Sequence, residues 1–142
     1  NSLICIDANV VVRCLVPHPQ TTLAMSLFES WNRSGVSLIA PALLPFEVTA
    51  TLRRMVYLKR MSAETGEEAF SEFQNLPIRI SHRSGIFQVA WEIAKRPRAY
   101  DTAYLAVAQM HGCDFWTTDK RLYNAVHDRL GWVKLLSDTE QI

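Results

Sequence analysis

The chain has 142 residues, 49% of them hydrophobic and 20% charged, which is enough apolar material for one buried core and too little charge for a disordered chain. With 15 Lys and Arg against 14 Asp and Glu the net charge is +1, so any basic surface must be local, with the acids gathered elsewhere. The three cysteines, Cys5, Cys14 and Cys113, form no C-x-x-C pair, which speaks against a zinc site and for reduced thiols in a cytoplasmic protein. No apolar run approaches the roughly 18 residues of a membrane span, so no membrane association is expected. The opening residues lack the pattern of a signal peptide. No repeat or linker divides the sequence, and residues 1–142 are expected to form a single domain.

Taken in chain order, Leu3-Ile4-Cys5-Ile6 is a continuous apolar run of strand length, as found in strands buried on both faces, and Asp7 follows it directly. Residues 22–34 read as a helix with Leu23, Leu27 and Trp31 on one face and Gly35 at its end. Val36 to Ala40 is a second strand. Residues 44–60 carry a helical stripe of Leu44, Val48, Leu52, Met55 and Val56, with Pro45 suited to the first turn. Residues 63–75 form another amphipathic helix, ended by Pro77. Ile78-Arg79-Ile80 is a third strand and 86–96 a further helix. From Asp101 to Met110 the pattern is apolar nearly all round, which predicts a helix enclosed between layers and stopped by Gly112. Phe115-Trp116-Thr117 is a fourth strand, a short helix follows to about His127, and Trp132 to Leu136 closes the chain as a fifth. This alternation predicts an α/β fold, a three-layer α/β/α sandwich around a mainly parallel sheet. In such folds the site lies beyond the carboxyl ends of the strands, where strand order reverses.

Four acids stand where that edge would be. Asp7 and Asp119 follow strands, while Glu47 and Asp101 lie at the starts of helices. Each has an ordinary reading alone: Asp101 and Asp119 as helix caps, Glu47 as a partner of the helix dipole. Together they point to a cation. Carboxylates within a few ångströms of each other repel, a divalent ion relieves the conflict, and an all-oxygen donor set suits Mg²⁺ or Mn²⁺.

The stretches Ile4-Cys5-Ile6-Asp7-Ala8-Asn9, Pro45-Phe46-Glu47-Val48, Tyr100-Asp101-Thr102-Ala103-Tyr104-Leu105 and Trp116-Thr117-Thr118-Asp119-Lys120-Arg121-Leu122 resemble the PIN-domain family, most of all its VapC-type toxin branch. The resemblance covers essentially the whole chain. It implies a five-stranded parallel sheet, Mg²⁺-dependent endoribonuclease activity, a small antitoxin partner and a homodimer. By the same match Asp7, Glu47, Asp101 and Asp119 are the catalytic and metal-site positions, with Asn9 and Thr118 supporting them. The sequence departs from many relatives in one respect: Lys120 and Arg121 stand where a further acid follows the last aspartate, which weakens a second metal position.

The chemistry expected is hydrolysis of an RNA phosphodiester by an activated water. Asp7 and Asp101 are the principal ligands, and Glu47 or Asp119 is the general base, with the choice open. An RNA strand needs positive charge nearby, for which Arg98 and Lys120 are the first candidates, ahead of Arg13, the Arg53-Arg54 pair, Lys95-Arg96 and Arg121. Tyr100 or Trp116 offers a surface for base stacking, with core packing the ordinary role of Trp116. An antitoxin would reach the acids with an Arg or Lys. Three other readings compete. A phosphotransferase using Asp7 as nucleophile would need a second aspartate where Asn9 stands. A catalytically silent PIN-like module would bind RNA or protein without cutting. A DNA-directed nuclease would share the same chemistry.

Overall fold

The computed structural model describes residues 2–95 and 102–137. Their elements run β1 (Leu3–Ile6), α1 (Ala8–Leu15), α2 (Thr21–Arg33), β2 (Ser37–Ala40), α3 (Leu43–Tyr57), α4 (Ala63–Gln74), β3 (Ile78–Ile80), α5 (Ile86–Ile93), α6 (Thr102–His111), β4 (Asp114–Thr117), α7 (Lys120–Val126) and β5 (Val133–Leu135). The five strands form one parallel sheet in the order β3-β2-β1-β4-β5. The α/β architecture and all five expected strands are present. β1 and β4 are neighbours, in the register Cys5 to Phe115 and Ile6 to Trp116. From β1 the chain proceeds to β2 on one side, and from β4 to β5 on the other. The order therefore reverses between β1 and β4, which leaves a crevice at their carboxyl ends.

One helix was not foreseen. The run Val10-Val11-Val12 is β-branched and favours strand, yet residues 8–15 are helical. Two things override the propensity. The Asp7 side chain caps the helix by accepting from the Val10 amide at 3.0 Å, and Ala8, Val10, Val11 and Val12 are all buried. Full burial of a Val side chain contributes about 1.5–3 kcal/mol, more than the few tenths that poor propensity costs.

α6 behaves as its composition predicts. Tyr104 to Ala108 are five consecutive buried residues, and Gly112 follows with φ +61°, a left-handed turn that stops the helix. The α1, α2, α3 and α4 helices pack among themselves, and α5 packs on α6. The core is centred on Ile6, Ile39, Leu44, Tyr104, Leu105 and Phe115. Phe70 and Phe73 of α4 are partly buried against that core, as the packing alternative for them requires. Trp116 is half-buried, with its ring 5.9 Å from that of Trp31, so its role is packing.

α3 ends at Tyr57, short of the expected end at residue 60. Its last turn closes on Lys59 at φ +60°, with the Lys59 amide bonded to the Val56 carbonyl and the Arg60 amide to Met55. Those two bonds define a Schellman stop, here built on lysine where glycine is usual. Among the described residues no helix is long and apolar enough to cross a membrane.

Candidate active site

Asp7 sits at the junction of β1 and α1 and is 5% exposed. Burying a carboxylate there is costly unless its oxygens are bonded. Oδ1 accepts from the Val10 amide, and Oδ2 accepts from the Thr117 hydroxyl at the end of β4. Thr117 is fully buried, and its oxygen also accepts from the Asp119 amide at 3.0 Å. One hydroxyl thus ties the first aspartate to the backbone of the last. Asp119 in turn caps α7, its Oδ1 accepting from the Leu122 amide at 3.0 Å.

Glu47 lies on α3, one turn in from the helix start at Leu43, so it is not a capping residue. Its Oε1 accepts from the phenol of Tyr104 on α6. Burial, above all, then the bond to Glu47 and the charges of Glu47 and Asp7, push the Tyr104 phenol far above its usual range. Tyr104 is therefore a neutral donor at any ordinary pH, and it lies within the fields of both carboxylates. α6 is further held to β1 by the Cys5 thiol, which donates to the Tyr104 carbonyl across 3.7 Å. That thiol is itself buried and pushed well above its usual pKa, by burial first and then by Cys113 and Asp7, so it is no nucleophile.

Thr117 thus ties Asp7 to the backbone of Asp119 beyond β1 and β4, while Tyr104 holds Glu47 on α3 and feels the charge of Asp7. Asp101 and Arg98 lie outside the described residues, as does Tyr100; α6 begins at Thr102, the next residue after Asp101. Asn9 is exposed on α1, Thr118 is half-buried in the bend before α7, and Lys120 is exposed at the start of α7. The hydroxyl that reaches Asp7 belongs to Thr117, one residue before the threonine singled out in the sequence. Tyr104 was read there only as part of the apolar helix. Both had a signal: a buried hydroxyl or phenol needs a partner. Among the described residues, no three Asp, Glu, His or Cys side chains come close enough to hold a metal ion.

A family profile described as PIN domain matches residues 5–129, nearly the whole chain. The chain belongs to the PIN-domain family. Among curated PIN-domain relatives, a VapC ribonuclease of Mycobacterium bovis is 33% identical over 85 residues, covering 60% of this chain and 67% of its own. Ribonuclease VapC9 of Mycobacterium tuberculosis matches to the same extent. Among solved structures, the crystal structure of PAE2754 from Pyrobaculum aerophilum superposes with a TM-score of 0.53 at 17% identity, over 87% of this chain and 85% of that one. At that identity the likeness speaks for the fold alone. It agrees with the α/β sandwich described above.

Proposed function

We infer that this PIN-domain protein is an endoribonuclease of the VapC toxin type, and that it works with Mg²⁺ or Mn²⁺ held by Asp7, Glu47, Asp101 and Asp119. The observation that carries the reading is the pair Asp7 and Asp119, tied together by Thr117 beyond β1 and β4, in a chain one third identical to ribonucleases over 85 residues. The donor chemistry fits a hard cation, because every side chain offered is a carboxylate. When bound, such an ion supplies Lewis-acid stabilisation of the phosphate charge and lowers the pKa of an attacking water.

The chain's own residues prepare that site. The Val10 amide and the Thr117 hydroxyl fix the plane of the Asp7 carboxylate before any substrate arrives, so no reorganisation is needed during reaction. Tyr104 orients Glu47 in the same way from the opposite helix. Glu47 or Asp119 takes the proton of the attacking water. Asn9 and Thr118 support the site, and Arg98 and Lys120 draw the phosphodiester towards it.

The partners that follow from this reading are a small antitoxin and a second copy of the chain, in the cytoplasm. On α5, Phe87 is 88% exposed and Trp91 66% exposed, apolar area of the kind that a second copy covers. Incubating the purified chain with single-stranded RNA and, in parallel, single-stranded DNA tests the activity. Cleavage of RNA in Mg²⁺ or Mn²⁺, stopped by EDTA, is expected. Cleavage of DNA alone would redirect the substrate, and binding of RNA without cleavage would favour the silent module.

A further inference from the structure

A groove of about 400 Å³ lies between α1, the helix that Asp7 caps, and α3; its lining sets Asn9, Arg13, His18, Arg54 and Arg60 among five apolar side chains. We propose that this groove is a phosphate-binding subsite along which the single-stranded RNA runs away from the acids; the proposal rests on the nuclease reading above.

The first argument is charge. Among the described residues no acid lines this groove, while three arginines do. α3 sorts its own basic pair. Arg53 faces α4 and stands 3.9 Å from Glu67, whereas its neighbour Arg54 lines the groove. Arg60 is set at the groove by the Schellman stop, in which Lys59 takes up a left-handed backbone. That conformation disfavours a side-chain-bearing residue by about 1–2 kcal/mol, and local packing must hold it.

The second argument is position. Asn9, which lines the groove, is two residues beyond Asp7. Arg13 is about one helical turn further on, roughly 6 Å along α1, and feels the Asp7 charge. Its guanidinium is fixed, because Nε donates to the Gln20 side chain at 3.1 Å and Gln20 donates to the Leu136 carbonyl at 3.2 Å. A half-buried, oriented guanidinium beside an anionic site is placed for a neighbouring phosphate. Three arginines with no described acid among the lining residues match the charge of a polyanion.

The test is the binding of a fluorescein-labelled single-stranded oligoribonucleotide in EDTA, followed by anisotropy across a salt series, so that nothing is cut. Arg54 and Arg60 are exposed, so the Arg54→Glu/Arg60→Glu variant keeps its fold. It is expected to bind at least about tenfold more weakly, and its log Kd–log salt slope to shrink by about 1.4, two lost contacts at about 0.7 each. Arg33→Glu, exposed at the far end of α2, should change neither. Unchanged affinity and slope in the double variant would overturn the proposal, and wild-type cleavage in Mg²⁺ would then leave the nuclease reading intact. Weaker binding by the variant, in a protein that cuts no RNA, would sustain the groove and remove the nuclease. Unchanged RNA binding with lost binding of polyglutamate would assign the groove to an acidic protein segment and also overturn the proposal.

Discussion

The centre of the sheet and its β3 edge finish in different chemistry. Beyond β1 and β4, buried donors converge on carboxylates: Val10 and Thr117 on Asp7, and Tyr104 on Glu47. Beyond β3, the Ser81 hydroxyl lies 2.9 Å from the His111 ring, and Arg83 donates to the Met110 carbonyl at 2.9 Å. Those contacts tie the edge strand to the end of α6. Burial, then the charges of Arg83 and Arg79, lower the His111 pKa, which leaves the edge neutral or basic. Hydrogen bonding alone does not distinguish a site from a seam. The difference is the crevice that topology opens between β1 and β4, together with acids whose geometry is fixed by groups distant in sequence.

Substitutions at the two places should therefore behave differently. Asp7→Asn is expected to have the largest effect. Asparagine still caps α1, so circular dichroism and thermal melts should stay near wild type, while RNA cleavage falls by at least about 100-fold. Thr117→Val keeps the shape but leaves Asp7 and the Asp119 amide short of a partner. It should cost about 2–3 kcal/mol in urea unfolding and lower cleavage by about 10–100-fold.

Tyr104→Phe should cost about 1–2 kcal/mol at neutral pH. It also changes the pH response. The raised phenol keeps its proton in the native state, while the unfolded chain loses it above about pH 10. The unfolded state then binds fewer protons, so wild-type stability falls as pH rises past that point. The Phe variant lacks this loss, and its deficit should narrow between roughly pH 8 and pH 11 in parallel unfolding curves. At the β3 edge, Ser81→Ala should cost no more than about 1 kcal/mol and leave RNA cleavage unchanged. A large catalytic effect there would erase the contrast.

How much of this was legible in the sequence follows from the range of each interaction. β1 is a short uninterrupted apolar run, and α6 is apolar nearly all round, so local pattern revealed both. α1 was hidden because Val10, Val11 and Val12 obey a tertiary demand against their propensity. Asp7 and Asp119 were visible because they stand at strand–helix junctions. The partners of the acids were not, since Thr117 and Tyr104 lie 110 and 57 residues from the acids they hold. The choice of Thr117 over Thr118 turns on strand parity. Phe115 and Thr117 share the buried side of β4, and moving the strand end by one residue would have exchanged the two threonines.

The central claim is that Asp7 and its linked acids form one anionic site for a hard divalent ion. Titration of Mn²⁺ into the metal-free chain, followed by electron paramagnetic resonance of the free ion, tests it without relying on activity. Saturable binding that Asp7→Asn and Asp119→Asn each weaken by about tenfold or more is the expected result. Equal Mn²⁺ uptake by wild type and both variants would contradict the account.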